Sequence, residues 1–346
     1  MRTPEALAGL DPRGVDAALG ELATRSHGTI AIVPVATDAP AVDAAPLAHA
    51  TGDLLAPSFH GHIDRRFETL SYSRLFGGSV HAPAADHDES ETVIAVAPVG
   101  IETDAVPQWP RGAEFGNCMH ELYEKIPFAE LAGTGVSARL ARICEDHGYA
   151  PAEHRVISAM AKATVVTELL PDSGLSLAAL GPGDALAEIE FLFPLGSARL
   201  EALERILASD ARHARAHGEL SVRRAAVAGL MTGFIDLVLR WQDRYYVLDY
   251  KTNLLGATRA DYAAERLPAA IRAHDYDLQY LIYLVALQRF LRARLGTQYD
   301  YDRHIGGALY LFVRGMREGD VAGIHHDRPA RALVDAIDAW CAGAAP

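Results

Sequence analysis

The sequence has few cysteines and lysines, and it lacks long apolar runs. Its three cysteines, Cys118, Cys144 and Cys341, are widely separated and odd in number. This pattern argues against a disulfide framework, a zinc ribbon or an iron–sulfur cluster. No apolar run reaches about 18 residues, so we expect no membrane span. The N-terminal stretch MRTPEALAGLDPRG has no apolar signal segment, and we therefore expect a cytoplasmic protein with reduced thiols.

The sequence also lacks a GxxxxGK[ST] phosphate loop, so nothing in it indicates an ATPase. The net charge of −13 argues against a simple nucleic-acid coat protein. Residues 1–200 carry 13 basic and 27 acidic side chains, a net charge of −14, whereas residues 201–346 carry 19 and 18, a net charge of +1. Only the second part can approach a polyanion without strong repulsion.

Lysine is the scarcest basic residue, with Lys125, Lys162 and Lys251 its only occurrences. Lys251 follows Asp249 by two residues in a stretch that is otherwise rich in strand-forming residues. Because arginine supplies nearly all other positive charge, this lysine indicates a task that an arginine would perform poorly.

The order of periodic segments predicts an α/β fold with a mixed central sheet of about four strands flanked by helices. Residues 1–70 have a predicted helix near VDAALGELATRS, a possible strand at TIAIVPVA and little else, so we expect an incomplete unit. Residues 71–111 open with SYSRL, a possible capped helix start, and continue as a predicted mobile connector rich in Gly, Pro and Ala. Residues 112–346 form the predicted main domain. In it DLQYLIYLVALQRFLRARLG is predicted to be an amphipathic helix that ends at Gly296.

Two aspartates lie in the stretch GFIDLVLRWQDRYYVLDYKTN, which predicts two strands and a short turn. If the turn is centred between Gln242 and Asp243, opposed residues have numbers that sum to 485. Asp236 and Asp249 would then face each other, with Cβ atoms roughly 5 Å apart. Lys251 would share a face with Asp249, because side chains alternate along a strand.

Two opposed carboxylates in a partly buried sheet repel, so either one binds a proton or a cation lies between them. Carboxylate oxygens suit Mg²⁺ or Mn²⁺, and a nearby lysine could stabilise charge on a phosphorane or orient a water. The alternative is that both aspartates are solvated edge charges. A shift of the turn by one residue would remove the facing pair.

The D…DxK pattern resembles the PD-(D/E)XK nuclease superfamily. The similarity is closer to the C-terminal nuclease domains of the RecB family, the beta chain of exodeoxyribonuclease V. The segments that carry it cover roughly residues 70–330 and read, in order, SYSRL, WPRGAEFGNCMHELYE, AEIEFLFPL, GFIDLVLRWQDRYYVLDYKTN, HDYDLQYLIYLVALQRFL and YDYDRHIGGALYLFVRG. The resemblance implies a restriction-endonuclease-like core.

The resemblance also implies roles for individual residues. His120, Asp236, Asp249 and the backbone carbonyl of Tyr250 correspond to metal ligands of the family. Asp236 and Asp249 are thereby also catalytic, together with Lys251, which corresponds to the catalytic lysine.

Four further residues lie in segments that match the family. Gln279 and Tyr283 correspond to its QxxxY motif, and their i, i+4 spacing places both on one helix face. They either steady the site, contact the DNA backbone or simply pack. Glu190 is a weaker candidate, in a segment that also contains Glu188. Five arginines either contact phosphates or belong to solvated surface: Arg223, Arg224, Arg289, Arg292 and Arg294.

The resemblance implies a Mg²⁺-dependent DNA nuclease, with Mn²⁺ as an alternative cofactor, that acts in double-strand break repair and recombination. Its partners would be DNA, as single strands or linear duplex ends, and RecC-like and RecD-like subunits. The family carries helicase domains before the nuclease, so residues 1–70 would be their tail or a tether. Two alternatives remain: a catalytically silent module that docks DNA or partner subunits, and an enzyme that needs its partners to act.

Overall fold

The computed structural model describes residues 11–26, 30–33, 67–72, 104–215 and 226–344. The chain divides into two compact units, 1–62 and 63–346. The first unit contains the predicted helix, α1 (Pro12–Arg25), whose N-terminus is capped by the Asp11 carboxylate accepting from the amide of Gly14 at 2.8 Å. Residues 30–33 of the predicted strand TIAIVPVA are not in a strand, and the rest of that segment lies outside the described residues.

The second unit contains a mixed sheet of six strands rather than about four. The strands are β1 (Phe67–Ser71), β2 (Ala185–Arg199), β3 (Ala226–Trp241), β4 (Arg244–Lys251), β5 (Ile305–Phe312) and β6 (Ile324–Asp327). The path β1-β3-β4-β5-β6 runs through the sheet, and β2 pairs with β3. The β1–β3 and β4–β5 pairs are parallel and the others antiparallel. The two unpredicted strands, β1 and β6, are too short to show alternation.

Helices cover both faces of the sheet, as predicted. They are α2 (Ala113–Lys125), α3 (Phe128–Leu131), α4 (Ala138–Asp146), α5 (Pro151–Val166), α6 (Leu200–Ala208), α7 (Leu267–Ala273), α8 (Tyr276–Leu295), α9 (Tyr301–His304) and α10 (Arg331–Cys341). One apolar core packs α6, α8 and α10 against one face, and a second core packs α2, α4 and α5 against the other. None of the helices in the described ranges is long and apolar enough to cross a bilayer.

Helix α8 differs from the amphipathic helix that its sequence predicts. Every residue from Tyr276 to Gln288 is buried, so its first three turns have no solvated face. The polar residues among them are satisfied internally; Gln288, for example, donates to Asp335 of α10 at 3.0 Å. The helix is central to the first core rather than a cover on it.

Helix α2 is tied to α4 by a charged contact. His147, the residue after α4, lies with Nδ1 2.5 Å from Oε1 of Glu114 and Nε2 2.8 Å from Oε2 of Glu121, both on α2. Burial alone would lower the pKa of His147, but the hydrogen bonds and charges of the two carboxylates raise it above its usual value. Both ring nitrogens of His147 thus contact carboxylates of α2, and the imidazole joins the two helices.

The β3–β4 hairpin has the predicted register. Its pairs run from Trp241 opposite Arg244 to Leu237 opposite Leu248, and each pair sums to 485. Gln242 and Asp243 have φ values of 48° and 63°, the two positive values that a type I′ turn requires. Beyond Leu237 strand β3 leaves β4, and at 228–232 the same edge pairs with β1 instead. The two partners of β3 thus form a fork around residues 233–236.

The predicted connector, 71–111, falls mostly outside the described residues, but its last part packs on the sheet. Ala105 forms a bridge with Thr258, and Val106 is buried. The buried guanidinium of Arg314 donates to the carbonyl oxygens of Pro107 at 2.9 Å and Pro110, and to that of Thr252 at 2.6 Å. This arginine ties the connector to the end of β4. The boundaries 1–70, 71–111 and 112–346 stay predictions.

Candidate metal-dependent active site

His120 reaches the fork from helix α2. Its Nε2 donates to the carbonyl oxygen of Tyr250 at 3.0 Å, and its Nδ1 lies 3.3 Å from Oδ2 of Asp236. One turn earlier, Gly116 faces Thr252, and a Cβ there would lie 3.4 Å from the threonine Oγ1. Helix α2 thus packs on the end of β4 at this turn, which brings the imidazole to the backbone of Tyr250.

Asp236 lies one residue beyond the last β3–β4 pair, in the gap of the fork. Its Oδ2 accepts a hydrogen bond from the amide of Tyr250 at 2.9 Å. The Asp236 carboxylate thus accepts a hydrogen bond from the β4 backbone at the point where β3 and β4 separate. The ladder ends one step before Asp236 and Asp249, so the predicted facing pair becomes a carboxylate held on the β4 backbone.

Glu188, rather than Glu190, joins this group. Ligand atoms of His120, Glu188 and Asp236 all lie within 4.8 Å of one another, the one such group of three or more acids, histidines or cysteines among the described residues. Glu188 has a φ of 50°, and the β2–β3 ladder has no pair between Ala187–Leu237 and Ile189–Ile235. Glu190 lies opposite Phe234 and is not in this group, although both glutamates are exposed. The backbone irregularity turns the earlier acid into the site.

The pKa of the Glu188 carboxyl is raised by burial and by the charge of Glu124. A group of like carboxylates that is short of positive charge raises its own proton affinity. A bound cation would offset the repulsion between these carboxylates.

Asp249 and Lys251 form a buried ion pair on β4. Lys251 Nζ lies 2.9 Å from Oδ1 of Asp249, and the two side chains are 2% and 3% exposed. Burial, followed by the charge of Asp236, raises the pKa of Asp249 from 3.8 to about 8, although Lys251 and His120 lower it. Asp249 contacts Lys251 as predicted, but it is not a member of the group that His120, Glu188 and Asp236 form, so its part in the metal site stays a prediction.

The ammonium of Lys251 is also placed over aromatic rings. It lies 4.1 Å from the centroid of the Tyr276 ring and 5.6 Å from that of Tyr310. The Tyr276 hydroxyl donates to Oδ1 of Asn253 at 3.2 Å. Tyr276 was not among the predicted site residues, because its role depends on how α8 packs under β4.

Gln279 and Tyr283 lie one turn apart on α8, as their spacing predicts. Gln279 Nε2 donates to the Tyr283 hydroxyl at 3.0 Å, and the Tyr310 hydroxyl donates to Gln279 Oε1 at 2.8 Å. Tyr310 is the β5 neighbour of Asp249. Because Gln279 and Tyr283 are 1% and 2% exposed, this arrangement favours support of the β4–β5 floor over contact with DNA.

The arginines of α8 that were candidates for phosphate contact include two that pair within the protein. Arg289 Nε lies 2.6 Å from Oδ1 of Asp338, and Arg292 Nη1 lies 2.8 Å from Oδ2 of the same residue on α10. These contacts favour a structural role in joining α8 to α10. Arg223 and Arg224 lie outside the described residues.

The donor set fits a divalent cation. Carboxylate oxygens, one imidazole and a backbone carbonyl are ligands that Mg²⁺ and Mn²⁺ accept. Oδ1 of Asp249 is fully buried, and among the described residues no donor meets it with hydrogen-bond geometry, even though Lys251 is close. A buried carboxylate oxygen without a directed donor is costly, and a metal ion would satisfy it.

Comparison with known proteins identifies the family of the chain. Residues 99–344 match the model of the PD-(D/E)XK nuclease superfamily. The chain is 36% identical over 255 residues to the RecBCD enzyme subunit RecB of Escherichia coli strain K12, covering 72% of this chain and 21% of that protein. For RecB of Haemophilus influenzae the identity is 30% over 307 residues, 83% of this chain and 24% of that protein.

RecB of Mycobacterium tuberculosis is 36% identical over 323 residues, 81% of this chain and 29% of that protein. The chain thus matches between a fifth and a third of the length of these three relatives. The superfamily match covers the whole six-stranded sheet except β1, and both helical layers. The chain belongs to the PD-(D/E)XK nuclease superfamily.

Proposed function

We propose that the chain is a Mg²⁺-dependent DNA nuclease of the RecB type that hydrolyses phosphodiester bonds during double-strand break repair and recombination. The observation that carries the proposal is the convergence of His120, Glu188 and Asp236 at the fork, next to the buried Asp249–Lys251 pair. Family membership supplies the reaction class, and similarity to RecB supplies the biological context.

His120, Asp236, Glu188, Asp249 and the carbonyl of Tyr250 would hold the ion. When bound, a divalent cation would polarise the scissile phosphate and lower the pKa of an attacking water. The protein prepares this site by fixing its ligands before any ion arrives. The Tyr250 amide orients the Asp236 carboxylate at 2.9 Å, and the Tyr250 carbonyl orients the imidazole at 3.0 Å.

Lys251 supplies the positive charge. Asp249 and the Tyr276 ring hold its ammonium in place. A fixed ammonium beside the phosphate stabilises the negative charge that develops on the phosphate oxygens in the transition state. A guanidinium is broader and would not fit the same space between a carboxylate and a ring, which accounts for a lysine in an arginine-rich chain.

The substrate would be DNA, as single strands or linear duplex ends. The name of the relatives, RecBCD enzyme subunit RecB, describes one subunit of a complex, so we propose RecC-like and RecD-like partners for this chain as well. The chain would act in the cytoplasm, where chromosomal DNA is accessible.

The experiment that tests the function is digestion of DNA with Mg²⁺ by the wild type and by Asp249→Ala. Asp243→Asn is the matched control, because Asp243 is an exposed aspartate in the turn of the same hairpin. We expect hydrolysis by the wild type and the control and none by Asp249→Ala. Equal rates for all three would refute the assignment of the site. Linear and circular single strands, compared side by side, separate exonuclease from endonuclease action.

A silent docking module is the second candidate, and it is disfavoured because His120, Asp236, Asp249 and Lys251 are all present. Calorimetry with Mn²⁺ separates the two. An enzyme that awaits its partner subunits still binds Mn²⁺, and Asp236→Ala weakens that binding. A docking module shows no Asp236-dependent site.

A further inference from the structure

On β2 and β3, the side chains that pack against the second core on one side of the metal site give way to side chains of the same alternation that pack against the first core on the other side. Side chains two residues apart on a strand normally point to the same face. Here Ala187 packs with the second core and Phe191 with the first, while on β3 Leu237 packs with the second core and Ile235 with the first. The switch falls at Glu188 on β2 and at Asp236 on β3.

Among the described residues, this switch leaves part of one sheet face outside both apolar cores. On the far side of the site, the odd-numbered residues of both strands are buried in the first core. The even-numbered residues point to the opposite face, the one on which α2 carries His120, but the second core does not extend over them. Leu192 is 60% exposed and Phe234 is 46% exposed there.

Leu192 and Phe234 are two exposed apolar side chains on this face, and we term the pair the apolar shelf. Leu192 lies opposite Thr232, and Glu190 lies opposite Phe234, so the leucine and the phenylalanine are diagonal neighbours across the ladder. Phe234 precedes Asp236 by two residues, a distance of about 7 Å along a strand. The shelf therefore begins where the metal site ends.

We propose that the apolar shelf binds unpaired nucleobases of single-stranded DNA beside the scissile phosphate. The inference rests on the proposed nuclease function, because it takes the phosphate to be held at the fork. A DNA strand whose phosphate is held at the fork must place its neighbouring bases within a few ångströms of the shelf. An exposed phenylalanine offers them a stacking surface that does not depend on base identity.

The charge of Glu190, beside the apolar shelf, indicates how the DNA strand is oriented. Glu190 is the acidic residue directly opposite Phe234, and its carboxylate repels phosphates while it can accept hydrogen bonds from N–H groups of bases. The backbone therefore lies toward the fork and the bases toward the shelf. In a duplex the bases are paired and stacked on one another, so the shelf favours single strands at the position of cleavage.

Binding with Ca²⁺ in place of Mg²⁺ tests the shelf separately from catalysis, because Ca²⁺ also takes oxygen ligands and can hold the phosphate at the fork. The probes are a fluorescein-labelled oligothymidylate and a strand of the same length with abasic sites, which has the same phosphates but lacks bases. We expect the wild type to bind the thymidylate more tightly. Phe234→Ala should weaken thymidylate binding about 5- to 100-fold and leave abasic binding unchanged. Phe234→Tyr, which keeps an aromatic ring, should retain the preference.

Phe290→Ala is the matched control, since Phe290 is 53% exposed and lies in the last turns of α8, far along the helix from Gln279. It should bind both probes as the wild type does. The inference is overturned if the wild type binds both probes equally, or if Phe234→Ala keeps the wild-type preference. It is also overturned if Phe234→Ala converts a dimer to a monomer in sedimentation, because the shelf would then join two copies of the chain.

Failure of the inference and failure of the proposed function give different results. If the inference fails but the proposed function holds, Mg²⁺-dependent digestion is lost in Asp249→Ala, while Phe234→Ala keeps the wild-type preference for the thymidylate over the abasic strand. If the function is wrong, digestion is absent or insensitive to Asp249, whatever the binding result.

Discussion

Metal binding to this site should compete with a proton on Asp249. Burial and the charge of Asp236 raise the pKa of this carboxyl from 3.8 to about 8. A protonated carboxyl is a poor ligand, so below that pH the ion must displace the proton. We expect the apparent Kd for Mn²⁺ to fall about tenfold per pH unit from pH 6 to 8 and then to level off. That change is about 3 kcal/mol over the interval.

Calorimetry in buffers of different ionisation enthalpy measures this competition. We expect about one proton released per ion at pH 6 from this carboxyl and less at pH 9. In Asp249→Asn the affinity should drop and this part of the proton release should vanish. Asp243→Asn, the exposed turn variant, should behave as the wild type. An affinity that is the same at pH 6 and pH 8, with no proton released, would refute the reasoning.

In the metal-free protein, the raised pKa of Asp249 should make the stability of the folded state depend on pH. The folded-state pKa of Asp249 lies above its unfolded value, so the folded state binds more protons between about pH 4 and 8. Stability from this group is full at low pH, declines above 3.8 and is lost by about pH 8. Without metal at pH 8.5, Asp249→Asn should therefore melt above the wild type. Saturating Mg²⁺ should reverse that order, because it stabilises only the chain that binds it.

Three further substitutions test the frame of the site. His147→Gln should remove a stabilisation that the wild type has fully below pH 6.5 and loses as pH rises through the raised pKa, measured by urea unfolding at pH 6 and pH 9. Arg314→Met should lower the free energy of unfolding by about 3 kcal/mol and speed hydrogen exchange at 104–111, because it leaves buried carbonyls unpaired. Gly229→Ala should cost at least about 3 kcal/mol, since its Cβ would lie 1.8 Å from the Glu68 carbonyl oxygen. Gly20→Ala, in open space on α1, should cost nothing.

The hairpin register was predictable because it depends on local geometry. A two-residue connection between antiparallel strands leaves few turn types, and the pairing of the flanking residues follows from the turn. The pairing sum of 485 is therefore confirmed for every pair from Leu237 to Trp241. The same reasoning stops being valid one residue later, at Asp236, where β3 leaves β4 before it pairs with β1 at 228–232. Such a fork requires knowledge of β1, whose five residues carry no visible pattern.

The sequence could not predict that Glu188 rather than Glu190 joins the site, because that also depends on a local irregularity of the backbone. Strict alternation places both acids on one face, so periodicity cannot distinguish them. The positive φ of Glu188 breaks the alternation, and nothing in AEIEF marks that break. The burial of Gln279 and Tyr283 likewise depends on β5 and β2, which are distant in sequence. Spacing predicted that the two share a helix face but not what that face contacts.

The site is built from groups that destabilise the protein in isolation. A buried carboxylate beside a second carboxylate raises its own pKa, and a buried lysine is tolerated because Asp249 and a tyrosine ring face it. An apolar floor of the same volume would fold more stably, but it would bind no cation. The fork reduces this cost, because the backbone amide and carbonyl of Tyr250, freed from the ladder, orient Asp236 and His120. The interruption of β-pairing that creates the gap thus also supplies the hydrogen bonds that hold the ligands, which is why the acids lie at the end of the ladder and not within it.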